Sequence, residues 1–166
     1  KEGGVDVQFF ALWPNPRIRN KKSMYAQTVE MLDSLWAISG RNPDKMRIAR
    51  TPQEIERAVR ANKLAACIGI EGGTAIEDDL SKLDYFFDRG VRYLGLTWNE
   101  STAWASCAKD EVKQKPGAHA GLNKFGEKII SHMNKRGMII DLAHAGEQTF
   151  YDVLAHSNKP VIVSHS

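Results

Sequence analysis

The stretch Ala65-Ala66-Cys67-Ile68-Gly69-Ile70-Glu71-Gly72-Gly73 decides how this chain folds. Residues 65–70 are short and apolar, as expected of a strand buried on both faces, and they run straight into a carboxylate and two glycines. Similar runs occur at residues 5–12, 47–49, 92–98, 137–143 and 160–164. Helix-like runs fill the gaps. Residues 23–39 carry Met24, Val29, Leu32, Leu35 and Trp36 near helical spacing, with Gly40 as the expected stop. Thr51-Pro52-Gln53-Glu54 is a capping box with proline in the first turn, opening a helix that ends near Asn62. Further helices are expected at 77–89, at 123–136 with Gly137 as its stop, and at 147–157. Repeated β-α units imply an α/β chain with a parallel sheet.

No Gly-x-Gly-x-x-Gly follows any of these strands, which disfavours a dinucleotide-binding sheet. A TIM-type (β/α)8 barrel is favoured, but such barrels take about 250 residues. The chain supplies five or six units within 166 residues. The expectation is therefore a single partial barrel domain over residues 1–166, with the first strand and the C-terminal strands missing.

Composition excludes other classes. The chain is 42% hydrophobic and 26% charged, so a packed core is expected and disorder is not. Its formal charge of +3 comes from 23 basic and 20 acidic residues, scattered along the chain. The cluster Arg17, Arg19, Lys21, Lys22 has no interleaved aromatics and reads as a solvated loop, so no nucleic-acid partner is expected. No apolar run approaches the roughly 18 residues that cross a bilayer, and no signal peptide is visible. Cys67 and Cys107 form no metal or redox motif. Cys67 reads as a small core residue, and a disulfide between the two stays open.

Three strands end in potential metal ligands: residues 65–70 in Glu71, 137–143 in His144, and 160–164 in His165. The C-terminal ends of barrel strands form the face that carries chemistry. Side chains alternate along a strand. One register sends Cys67, Gly69 and Glu71 inward while Ala66, Ile68 and Ile70 meet the helices. The same rule groups Ile140 and Leu142 with His144, and Val161 and Val163 with His165. A carboxylate and two imidazoles suit zinc or a similar transition metal. Each residue alone has a blander reading, an ion pair for Glu71 and a hydrogen-bonded structural role for either histidine, and it is the joint pattern that points to a metal. Asp141 has the opposite parity to His144. It is expected to face the helices, either orienting a ligand or pairing with an Arg or Lys. His119, His132 and His156 read as surface residues. Trp98, Asn99 and Trp104 lie on the loop leaving the fourth strand, where specificity is usually carried, and Trp98 and Asn99 are the substrate-binding candidates. Trp13, at the end of the first strand, is a weaker one.

Several of these segments resemble the membrane (renal-type) dipeptidase family of zinc peptidases in order and approximate spacing. They are Ile68-Gly69-Ile70-Glu71-Gly72-Gly73, Gly90-Val91-Arg92-Tyr93-Leu94-Gly95-Leu96-Thr97, Gly121-Leu122-Asn123-Lys124-Phe125-Gly126, Ile140-Asp141-Leu142-Ala143-His144 and Pro160-Val161-Ile162-Val163-Ser164-His165-Ser166. The opening Gly3-Gly4-Val5-Asp6-Val7-Gln8-Phe9-Phe10 is similar to the family's early strand. The resemblance implies zinc-dependent hydrolysis of dipeptides by a metal-bridged water, with two Zn2+ in a complete site. It casts Glu71 as the carboxylate bridging the two zincs and His144 and His165 as ligands of the second. No catalytic residue beyond these ligands is implied within the chain. The first zinc's His-x-Asp pair would precede Lys1. An Arg that grips the substrate carboxylate and an Asp near the catalytic water would follow Ser166. Trp98 stands where mammalian members have a substrate-contacting His, and the Trp-Asn pair looks like the bacterial branch. The implied partner is a small peptide, a homodimer is compatible, and both bacterial cytoplasm and periplasm stay open. Two rivals are an amidohydrolase acting on another amide or a lactam, and a non-catalytic degenerate barrel.

Three ligands cannot complete two zinc shells. A His-x-Asp pair at the end of a short apolar strand is therefore expected in the gene upstream of Lys1. Reading that coding sequence checks it, and its absence removes the two-zinc reading. Residues 1–166 alone are not expected to hydrolyse dipeptides.

Overall fold

A computed structural model describes residues 3–18, 22–113 and 120–166. The elements alternate as the sequence predicts. In chain order they are β1 (Val7–Leu12), α1 (Met24–Arg41), β2 (Met46–Ile48), α2 (Pro52–Arg60), β3 (Leu64–Ile70), α3 (Leu80–Asp88), β4 (Val91–Gly95), α4 (Ala108–Lys113), α5 (Lys124–Arg136), β5 (Ile139–Asp141), α6 (Glu147–His156) and β6 (Val161–Ile162). The sequence does not announce the six-residue helix α4 or the 3-10 turn Gly73–Ile76.

All strand pairs are parallel, in the order β1-β3-β4-β5-β6. β1 runs along β3 from Ala65 to Ile70. On the other edge of β3, β2 meets its first half (Leu64–Ala66) and β4 its second (Ile68–Ile70). The fold is thus an α/β arc of the barrel type, with parallel strand ends gathered at one rim.

Helix boundaries follow local chemistry. The Ser23 side chain accepts the Ala26 N–H at 3.2 Å, and the Thr51 hydroxyl accepts that of Glu54 at 3.2 Å, as the capping residues predict. Gly40 does not stop α1. The helix continues to Arg41 and closes where the Asn42 N–H reaches Ile38 and Ser39. α3 starts at Leu80, three residues later than expected, because Glu77 and Asp78 adopt left-handed φ of 47° and 55°. That turn sends the Glu77 carboxylate to the Tyr25 N–H, 3.0 Å away in the first turn of α1, and to the Lys82 ammonium at 2.5 Å.

The main core lies between the sheet and α1, α3, α5 and α6. Ala66, Ile68, Ile70, Leu94 and Ile140 meet Leu32, Leu83, Phe86, Ile129, Met133 and Val153 there. Ala65 and Cys67 point the other way and pack with Ala58, Ile55 and Val59 of α2. The predicted alternation therefore holds along β3. It does not hold at the later strands. Ile140, Leu142 and Val161 all join the helix-side core, not the inner face. Asp141 pairs in register with Gly95, two residues beyond the Tyr93–Ile139 pair, which places it on the inner face with Tyr93. Parity cannot be counted through to the histidines because β5 stops at Asp141 and β6 at Ile162.

Tyr93 occupies the inner face directly over Gly69. A Cβ on Gly69 would fall 2.0 Å from its ring. The Phe9 ring lies 5.3 Å away and completes the stack. Gly69 is thus required by close approach and not by backbone freedom. Gly69→Ala should force the ring aside and destabilise the fold by about 1–3 kcal/mol, the usual cost of overpacking. A thermal melt checks this, and combining the change with Tyr93→Ala should relieve part of the loss.

Candidate metal centre

Glu71 follows the last residue of β3, its backbone N–H donating to the Leu12 carbonyl at 3.0 Å. The chain then turns through Gly72, at φ 104°, and Gly73. Gly73 passes so close to the Leu96 carbonyl and the Trp104 ring that a Cβ would sit 2.5 and 2.6 Å from them. His144 lies three residues beyond β5 in a left-handed conformation, φ 65°. Its backbone is strapped to the loop after β4: Ala108 N–H donates to the His144 carbonyl at 2.9 Å, and Cys107 bridges to Ala145. His165 follows β6.

These three ends converge. His144 Nε2 lies 3.1 Å from Glu71 Oε1 and 2.9 Å from His165 Nε2, and His165 Nε2 lies 3.7 Å from the same Glu71 oxygen. The fit to a cation can be tested on these distances. Ligand atoms at about 2.0–2.2 Å from a tetrahedral zinc stand about 3.3–3.5 Å apart, and the three edges bracket that spacing. One carboxylate and two imidazoles, all presenting a potential ligand atom to the same point, form a donor set that suits zinc. Glu71, His144 and His165 are the only such group of three among the described residues.

An aromatic wall flanks the cluster. The Trp98 ring is 6.4 Å from His144 and 4.9 Å from Trp13, and the Arg17 guanidinium lies 5.7 Å from its centroid. Trp13 therefore joins Trp98 as the sequence suggested more weakly, whereas the contribution of Arg17 was not foreseen. Asn99 is half-buried beside Trp98 and makes no hydrogen bond among the described residues. Trp104 lies on the same loop but turns inward. It is fully buried over Gly73 and belongs to the core. Below the cluster, burial, and then the negative charges of Asp141 and Glu71, push the Tyr93 phenol up to about 12, so it stays neutral.

Asp141 is corrected in direction: it faces the inner side of the sheet and not the helices. Among the described residues it contacts no Arg or Lys, and it accepts the N–H groups of Ala143 at 3.1 Å and Ser164 at 2.9 Å, and the Ser164 hydroxyl at 2.6 Å. Cys67 and Cys107 are both buried free thiols, which closes the disulfide question, and burial raises the Cys67 pKa. His132 is half-buried against Asp84 at 2.8 Å, and His156 bonds the Asp152 carbonyl at 2.8 Å at the surface. Arg17 and Lys22 are exposed, while Arg19, Lys21 and His119 lie outside the described residues. No helix among the described residues is long and apolar enough to cross a membrane.

Sequence reasoning missed a second support. The buried Ser106 hydroxyl accepts the Gly121 N–H at 2.6 Å, meets Thr149 Oγ1 at 2.9 Å and bonds the Glu111 carboxylate. Its carbonyl accepts the Gly146 N–H at 2.9 Å, two residues past His144. A loop serine and a helix threonine 43 residues apart carry no pattern that would have revealed this.

The whole chain, residues 1–166, matches the sequence profile of the membrane dipeptidase family, peptidase family M19. The chain belongs to this family. Dipeptidase 3 from Mus musculus is 44% identical over 104 residues, covering 63% of this chain and 21% of the mouse protein. Among solved structures, the probable dipeptidase PvdM from Pseudomonas aeruginosa superposes with a TM-score of 0.86 at 24% identity, over 97% of this chain and 42% of its own. The metallopeptidase dipeptidase AC gives 0.85 at 25% identity, over 99% and 51%. A metallopeptidase from Rhodobacter sphaeroides, liganded with a phosphinate mimic of the dipeptide L-Ala-D-Ala, gives 0.81 at 24% identity, over 99% and 54%. This M19 chain thus spans about a fifth of the mouse relative and about half of the solved chains.

Ser106→Ala should leave the Gly121 N–H without its buried partner, whereas the Thr149 hydroxyl keeps its bonds to the Ser106 backbone. The expected cost is about 1–3 kcal/mol for the group left unsatisfied. Denaturant unfolding of the variant checks this, and an unchanged midpoint would assign the network no weight.

Proposed function

We propose that the protein is a zinc-dependent dipeptidase whose metal centre is held in part by Glu71, His144 and His165. The observation that carries this reading is the convergence of three potential ligand atoms from three separate strand ends within 3.7 Å of one another. Crowding such groups at a partly buried rim is unfavourable unless a proton or a cation lies between them. Membership of a metallopeptidase family, and a solved relative holding a dipeptide mimic, support the choice of a cation and of a peptide substrate. When bound, zinc lowers the pKa of a bound water and polarises a carbonyl.

The chain's own residues divide the remaining work. Glu71 presents Oε1 to the two histidines and has a second oxygen free to reach a second cation, which is what a bridging carboxylate needs. His144 and His165 supply neutral nitrogen donors. Trp98 and Trp13 wall the rim with apolar surface, excluding water and strengthening electrostatic interactions beside the cluster. Asn99, next along the loop, offers an amide donor and acceptor to the polar ends of a small peptide.

The test is Glu71→Gln in the intact protein. Glutamine is nearly isosteric, but it offers one neutral oxygen and an NH2 that cannot bind a cation. The folded variant should lose zinc, and dipeptide turnover should fall by more than about a hundredfold, beyond what loss of a merely supporting contact costs. If Glu71 were only half of a surface ion pair, the change would cost about 0–1 kcal/mol and leave activity intact. Circular dichroism, metal analysis and an assay against dipeptides and cyclic amides distinguish the outcomes. Preference for cyclic amides would redirect the substrate assignment without touching the metal.

A further inference from the structure

Asp141 is 1% exposed, and its carboxylate is spent entirely on the two turns that carry the histidines. Oδ1 accepts the Ala143 N–H at 3.1 Å, immediately before His144, and the Ser164 N–H at 2.9 Å, immediately before His165. Oδ2 accepts the Ser164 hydroxyl at 2.6 Å. The same hydroxyl oxygen lies 2.9 Å from His165 Nδ1.

Counting protons fixes the direction of this chain. A carboxylate only accepts, and a serine hydroxyl has one proton. That proton is committed to Asp141. The contact between Ser164 Oγ and His165 Nδ1 must then be made by a ring N–H donating to the hydroxyl oxygen. A neutral imidazole has only one N–H, so Nε2 is left as a bare lone pair. Nε2 is the atom that faces His144 and Glu71 at 2.9 and 3.7 Å.

We propose that Asp141, acting through Ser164, is a positioning residue that holds His165 as its Nδ1–H tautomer and aims the Nε2 lone pair at the centre of the cluster. It deepens the reading of the cluster as a metal centre, and rests on it. Asp141 touches neither cation nor substrate. It sets in advance the protonation pattern that a cation requires and pins both histidine-bearing turns to the end of one strand.

A sharp consequence separates this role from simple support. In Asp141→Asn the side-chain oxygen still satisfies the two backbone N–H groups, but an NH2 now faces Ser164. The hydroxyl, forced to accept there, turns its proton toward His165 Nδ1. The ring proton moves to Nε2 and points into the cluster. Ser164→Ala removes the relay without inverting it, and Ser164→Thr keeps the hydroxyl.

The experiment uses the intact protein, with these variants and His165→Ala. Two-bond proton–nitrogen correlations on histidine-labelled samples, metal-stripped and zinc-loaded, read the tautomer. Competition with a chromophoric chelator reads zinc retention. Circular dichroism confirms folding. We expect an Nδ1–H ring in wild type and an Nε2–H ring in metal-stripped Asp141→Asn, with zinc affinity about 10–100-fold lower in the latter. Ser164→Ala should lose less, and Ser164→Thr should stay near wild type. A folded Asp141→Asn that keeps the Nδ1–H ring and wild-type zinc retention overturns the relay. So does a Ser164→Ala protein indistinguishable from wild type in both readouts. If wild type retains zinc no better than His165→Ala, the metal reading of the cluster fails instead, whatever the tautomer.

Discussion

Three polar side chains from distant parts of the sequence can meet only if their strands run in the same direction and end at one rim. Parallel pairing from β1 to β6 supplies that condition, and most of the rest of the structure serves it. A parallel sheet needs helical crossovers, which cover one face with the apolar layer around Ile68, Leu94 and Ile140. Only beyond the strand ends, where the ladder stops, can the chain turn sharply enough to bring Glu71, His144 and His165 within hydrogen-bonding distance.

Those turns have no ladder to hold them, so other groups replace it. Asp141 satisfies both histidine turns with one carboxylate. Ser106 and the Ala108–His144 backbone bond tie the loop after β4 to the far side of the same turn. Left-handed φ at His144 redirects its side chain across the rim. Such a conformation in a non-glycine residue is uncommon and costs energy. Here that cost falls where three polar side chains converge.

The polar cluster also sits in an asymmetric setting. Trp98 and Trp13 close one flank and the buried Tyr93 lies beneath. The loop from β4 supplies both Trp98 of that flank and the strap on His144.

The sequence by itself determined the alternation of strands and helices, the caps at Ser23 and Thr51, and the three strand-end polar residues that the fold brings together. Those features are local: periodicity, side-chain oxygens beside free N–H groups, and a polar residue closing an apolar run. Alternation also assigned the faces of β3 correctly, because that strand persists for seven residues up to Glu71. Only the tertiary structure decided the faces of Asp141 and Val161, because β5 and β6 end before their histidines and a left-handed residue breaks the count. It alone buried Trp104 in the core while leaving Trp98 at the rim, although both occupy one loop. It alone joined Ser164 to Asp141 and Ser106 to Gly121. Hydroxyl contacts across 23 and 15 residues leave no periodic trace in the chain, since they depend on where two turns come to rest.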